Sequence, residues 1–521
     1  MSDDQRSSHR RLPRGLIAAQ IVLVAALAVW LLLVGREIGW PGEWAWPVLG
    51  PVYPITHLLP PALVVIGFAG LIAYLWSSML RERIPSHRRA LAWSIAASLA
   101  VGAWVLQLSL WSVPPLSVPR LAAVQLSDVS TGYLSEAYRV DALEEYLDGY
   151  AREMGNKPEH VATHPPGAVI FFYAVRRLGQ LLPGLNRLAL TAGSTAVNLT
   201  IPELAAEVGR YPTTAWQGSD GLATAMLASW LLGACGALMP VVLFAALRGP
   251  MGEGRALGAA ALVALTPSVL LFFPLLDELI ALLGALMLAA LVATQRHWAW
   301  AAVAGAVAAT ALFVSLGALA LVALGAIFLL LRAAKQAGQS ADSSWSDTRS
   351  VLVPLAAFAA GLAGGIGLWY AAGVDAITVF SEGLSAHSSI TGRASFRSYH
   401  VWVWLNLVEF AIFLGLPLAA TVVASAGRFA RELRPMSGRM LPAYLGASAL
   451  LTLLLLDASG TVKGETGRLW MFFAPWLAGS VAPWLCGDDG SRWRLLAITC
   501  GLTALQLLLM AWTMQPIIRP Y

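Results

Sequence analysis

Charge is scarce in this chain. Only 12% of its 521 residues are Asp, Glu, Lys or Arg, where soluble domains carry about 25%. That excludes an ordinary water-soluble fold. Cysteine is scarcer still, limited to Cys235, Cys486 and Cys500. Two lie in apolar runs and one beside a basic turn, so neither a disulfide framework nor a CxxC pair is available. No sequence repeat of the length that builds solenoids is present. The formal charge of +5 and pI near 9.2 invite a nucleic-acid reading, but the positions of the charges reject it.

What is abundant is apolar length. Hydrophobic residues make up 58% of the chain and the mean hydropathy is +0.68. A membrane helix needs roughly 20 apolar residues, and runs of that length recur from Gly15 to Thr513. The first run, Leu16 to Val34, follows a basic start, and the residues after it lack a small-x-small cleavage pattern. It therefore reads as a retained helix. The expected fold is an all-α polytopic membrane protein with about thirteen transmembrane helices, forming a single integral membrane domain over 1–521.

Orientation follows from Lys and Arg in short loops. The turns RERIPSHRR (81–89), RGPMGEGR (248–255), RFARELRPMSGR (428–439) and SRWR (491–494) fall on one side, which places the N-terminus in the cytoplasm. The acids fall on the other side. Ala168–Leu182 is apolar but carries Arg176 and Arg177 near its middle. A charge at mid-bilayer costs roughly 2.5–3.5 kcal/mol on insertion scales, so this stretch reads as an interfacial amphipathic helix. A large outer loop then spans 113–219. Loops of that size are usually functional. Residues 335–350 are small and polar and read as a flexible cytoplasmic linker.

Inside the large loop, Pro114, Pro115 and Pro119 favour an extended exit from the third span. A second interfacial helix is expected from about Leu134 to Met154. Leu143, Tyr146, Leu147, Tyr150, Ala151 and Met154 form its apolar stripe, with Asp141, Glu144, Glu145, Asp148 and Arg152 off it. Asp128 precedes that helix, at the boundary where a carboxylate can act as general base on a polar substrate. Asp128 or Ser130 can equally cap the helix. His164-Pro165-Pro166-Gly167 makes a rigid corner, and its imidazole and helix N-terminus can also hold phosphate.

Further acids stand at span ends. Asp277 and Glu278 open a span after Pro274, either as an N-cap with favourable dipole charge or as part of a polar pocket. Glu409 sits inside the tenth span, on one face with Trp402 and Asn406. An ionisable residue there is a functional hypothesis, against which stands a helix–helix hydrogen bond. Two basic clusters face the same outer side: Arg393, Arg397 and His400, then Lys463, Glu465 and Arg468. Such groups suit a phosphate at the lipid surface.

These stretches resemble the GT-C superfamily of polyprenyl-phosphate-dependent glycosyltransferases, near its protein O-mannosyltransferase and aminoarabinose transferase branch. SEAYRVDALEEYL (135–147) resembles an acidic "DEAYY…A" stretch, with Ser135 in place of the first acid. THPPGAVIFF (163–172) resembles a "KPPL" corner, with His164 for Lys and Gly167 for Leu. FPLLDELIALLGALMLAA (273–290) resembles a span opened by an acid after a proline. KGETGRLWMFFAPWLA (463–478) resembles a "GE-x-x-RxW-x-F-x-P" ending. The likeness covers most of the chain in topology but a small part of it in motif.

The resemblance implies an inverting transfer of sugar from a polyprenyl-phosphate donor to an envelope glycan, lipid or protein acceptor, at the outer face of a cell's plasma membrane. It implies that Asp128 or Glu136 deprotonates the acceptor hydroxyl. Arg393, Arg397, Lys463 and Arg468 would hold donor phosphate, and Asp277 and Glu278 would shape a sugar pocket or a divalent-metal site. Two other classes compete. A secondary transporter should show paired interrupted helices near the midplane, which the sequence lacks. A scaffold subunit of an envelope assembly would need no phosphate site.

Overall fold

The computed structural model describes residues 14–114, 117–211, 218–337, 345–393, 397–433, 441–487 and 492–514. Among these the architecture is helical, and the strand content is one small hairpin. The elements that build the site are α1 (Arg14–Val34), β1 (Ile38–Trp40), β2 (Trp44–Trp46), α2 (Pro85–Leu110), α3 (Val118–Leu126), α4 (Tyr133–Tyr138) and α5 (Leu143–Glu153). They continue with α6 (Gly167–Leu181), α7 (Gly218–Met251), α8 (Asp277–Ala293), α9 (Trp300–Val314), α10 (Tyr399–Leu414) and α11 (Thr466–Leu469).

Eight helices among the described residues are long and apolar enough to cross a bilayer. The count becomes nine if α10 and Leu416–Glu432, bent by 118° at Gly415, form one span. This is a multi-pass membrane protein. Several of the thirteen expected spans are shorter pieces. The apolar stretch 256–275 is divided between Glu253–Ala264 and Pro267–Leu271, because Pro267 has no amide to continue the first ladder. Helix α8 has 17 residues and α9 has 15, and at 1.5 Å per residue both fall short of a core about 30 Å thick.

Small residues and buried polar groups join the helices, as expected where lipid removes the usual hydrophobic drive. Gly305 of α9 and Gly361 of the Trp345–Ala371 helix are each so close to the other helix's backbone that a Cβ would strike it. Gln20 of α1, fully buried, donates to Thr421, Thr499 and the Pro417 carbonyl. One side chain thus ties the first helix to two late ones.

Three expectations about loops are corrected. Pro119 does not sit in an extended exit; it lies in the first turn of α3, capped by Ser117. The helix expected over 134–154 is two helices, α4 and α5, with a turn at 139–142. Within α5 the stripe faces inward, with Leu147 and Tyr150 buried, while Glu144, Glu145 and Asp148 are exposed. The 335–350 linker is helical up to Ala337 and again from Trp345, and 338–344 lies outside the described residues. Helix α6 is short, and it packs against α4, α7 and α9 with Phe172 and Val175 buried.

Candidate functional site

Helix α8 begins at Asp277, and its first turn points two carboxylates in different directions. Asp277 pairs with Arg468 of α11 at 3.4 Å. Arg468 in turn grips Glu465, with Nη2 at 2.6 Å and Nε at 2.9 Å from one carboxylate oxygen. Glu278 turns inward instead. It is fully buried and accepts from the Gln107 amide of α2 at 3.1 and 3.2 Å. The residues present do not fit a resident divalent cation at this pair, since each carboxylate already faces a different partner. No group of three or more His, Cys, Asp and Glu among the described residues is arranged to hold a metal ion.

A cavity of about 80 Å³ opens at this point. Asp277, Arg468, His160, His164 and Ser315 line it, together with Gln125, Thr131, Tyr133 and Phe172. His164 Nδ1 lies 3.4 Å from the Ser315 hydroxyl. Burial, reinforced by His160 and Arg468, pulls the His164 imidazole down to about 3, and burial likewise lowers His160. Both rings are therefore neutral at physiological pH, able to donate or accept hydrogen bonds without adding charge. The Tyr133 phenol is raised by burial and by the nearby Asp277 carboxylate, so it stays protonated. Tyr133 stacks on Phe172 at 6.4 Å, giving the cavity a flat aromatic side.

The backbone that presents Arg468 is unusual. Gly464 has φ +89° and Glu465, not a glycine, has φ +60°. Non-glycine residues in left-handed geometry cost on the order of 1–3 kcal/mol and persist where the surroundings over-determine them. Here α10 does so. Asn406 accepts from the Gly464 amide at 2.9 Å and donates to the Val462 carbonyl and to Asp457. Glu409 accepts from the Gly467 amide at 2.9 Å. Glu409 thus holds the loop that carries Arg468, and it does not line the cavity.

The remaining predicted residues are placed as follows. Asp128 accepts from the Ser135 hydroxyl and pairs with Arg139 at 3.3 Å. Neither it nor Ser130 caps α4, whose N-cap is Gly132. Glu136 is nearly buried between Lys157 at 2.7 Å and Arg139 at 3.2 Å. Neither acid lines the cavity. Arg397 donates to the Lys463 carbonyl and lies 5.0 Å over the Trp44 ring. His400 is exposed and Lys463 half-buried. Arg393 ends the Ala376–Arg393 helix, and its side chain lies outside the described residues. The structure therefore brings His164, Asp277, Glu465 and Arg468 together and leaves Asp128 and Glu136 in a neighbouring ion-pair network.

Sequence reasoning missed His160, Ser315, Lys157, Gln107 and Glu43. His160 stands four residues before His164, a spacing that could have drawn notice. Glu43 lies in GWPGEWAW, where alternating tryptophans around Pro-Gly mark a short hairpin. Comparison of the chain with family models, with curated proteins and with solved structures finds no match.

Proposed function

We propose that this protein is a membrane glycosyltransferase that moves a sugar from a polyprenyl-phosphate donor to an acceptor hydroxyl at the outer membrane face. One observation carries the reading: a cavity in a membrane protein presents a guanidinium and a carboxylate 3.4 Å apart, flanked by two neutral histidines. That pairing suits an inverting displacement at an anomeric carbon. Asp277 takes the proton from the acceptor hydroxyl. The acceptor oxygen bonds to the anomeric carbon as the carbon–oxygen bond to phosphate breaks, and its electron pair leaves on the phosphate. Arg468 faces the charge that develops there, where a fixed donor is worth most. His160, His164 and Tyr133 orient neutral oxygens.

Asp277, rather than Asp128 or Glu136, is the base in this scheme, because it alone of the three lines the cavity. The test is conversion in proteoliposomes. A panel of labelled polyprenyl-phosphate sugars is supplied with lipid, glycan and peptide acceptors, and released polyprenyl phosphate is measured. Release above that of empty vesicles is expected. Labelled substrate that crosses unconverted establishes a transporter instead.

A further inference from the structure

The hairpin after the first helix reaches across the sequence to the far side of this site. Glu43, in the turn between β1 and β2, accepts three hydrogen bonds from the start of α10. Ser398 donates its backbone amide at 2.8 Å and its hydroxyl at 2.6 Å, and the Trp402 indole donates at 2.6 Å. The rings on either side then close on one glycine. A Cβ at Gly464 would lie 2.8 Å from Trp44 and 3.2 Å from Trp402. Arg397, over Trp44, holds the neighbouring Lys463 carbonyl. Gly464 begins the left-handed turn that leads through Glu465 to Arg468.

We infer that Glu43 is a positioning residue: its carboxylate latches the hairpin to α10 so that Trp44 and Trp402 hold the 462–468 turn with Arg468 facing Asp277. The inference rests on the transfer reading for its catalytic consequence, but the latch itself is a structural arrangement. The carboxylate acts here as a three-way acceptor rather than as a charge. A glutamine can reproduce it, because its carbonyl takes the two N–H donors and its amide donates to the Ser398 hydroxyl, which can accept. Alanine cannot.

Amide hydrogen exchange on the full-length protein in nanodiscs separates the cases. In Glu43→Ala the amides of 462–468 should exchange on the order of tenfold faster, the scale of losing one net hydrogen bond. Those of α2 and α8 should stay unchanged, and Glu43→Gln should match wild type. Trp402→Phe removes one latch donor while keeping an aromatic ring, and should loosen the same turn even where Glu43→Ala perturbs folding. Transfer activity should fall with loosening, and Glu43→Ala should cost nothing further on an Arg468→Ala background. Unchanged exchange in both Glu43→Ala and Trp402→Phe overturns the latch, as does Glu43→Gln behaving like alanine. The expected exchange pattern in a protein that transfers no sugar upholds the latch and overturns the transfer reading alone.

Discussion

The substitution that bears most directly on the chemistry is Asp277→Asn. It removes one charge and keeps the shape of the side chain. The lost attraction to Arg468 at 3.4 Å is roughly 5 kcal/mol at an effective dielectric near 20. Most of that is offset because a neutral amide no longer has to be desolvated. Arg468 also keeps both bonds to Glu465, so the guanidinium stays in place and the net cost to stability should be about 1 kcal/mol. The catalytic cost is larger. A positioned general base contributes about 10²–10⁴-fold, which is roughly 3–5 kcal/mol of barrier.

The assay is the initial rate of polyprenyl phosphate release by purified protein in nanodiscs, with thermal stability measured on the same samples. Asp277→Asn should lose at least about 10²-fold at nearly unchanged melting temperature. Asp128→Asn removes a pair whose arginine is half exposed, so it should stay within about tenfold of wild type, as surface ion pairs are worth about 0–1 kcal/mol. The base assignment is refuted if Asp277→Asn transfers near the wild-type rate while Asp128→Asn or Glu136→Gln is inactive and stable.

Two further outcomes follow from buried charge. Lys157→Met leaves the nearly buried Glu136 with Arg139 as its remaining ion-pair partner and removes the cation 4.6 Å over Tyr146; it should cost about 1.5–3 kcal/mol, seen as a lowered unfolding temperature in detergent and partly restored by adding Glu136→Gln. His164 is held neutral in the fold, its imidazole pulled down to about 3, so between pH 6.5 and 3 the unfolded chain binds the proton that the folded chain refuses. Stability should therefore fall as pH drops below 6.5, by about 1.4 kcal/mol per pH unit from this group, and a pH series of unfolding temperatures for His164→Asn should show a shallower decline.

Local patterns were legible in the sequence where the physics is local. The 3.6-residue stripe of α5 marks its buried face because each apolar side chain repeats on one side of the same helix. The break at 139–142 was not legible, since it depends on Arg139 turning back to Asp128 and Glu136. The division of the apolar runs into helices is hidden for a similar reason: apolar composition alone does not say that Pro267 ends a helix early or that α8 and α9 are short and partly covered by neighbours. The hairpin's two strands are three residues each, so its signal is confined to the tryptophans flanking Pro-Gly and is easily lost beside the long apolar runs. Contacts such as Glu43 with Ser398, or Arg468 with Asp277, join residues 355 and 191 positions apart, and single-sequence patterns hold no trace of them.

The sorting of the acids follows from what a low-dielectric interior demands of a carboxylate. Each one singled out by its position near the membrane has found a partner, and the partner decides its role. Glu409 holds a backbone amide, Glu278 a glutamine, Glu136 a lysine, and Asp128 a serine and an arginine. These partners hold each of the four acids outside the lining of the cavity. Asp277 differs in that its partner, Arg468, lines the same cavity and is also held by Glu465 through Nη2 and Nε, with Nη1 on Asp277. In the proposed transfer, a donor phosphate would take Nη1 of Arg468 from Asp277 while Glu465 keeps Nη2 and Nε, and Asp277 would be released when the acceptor hydroxyl needs a base. That proposed coupling of donor arrival to base release is why Asp277 is assigned together with Arg468 rather than as an acid alone.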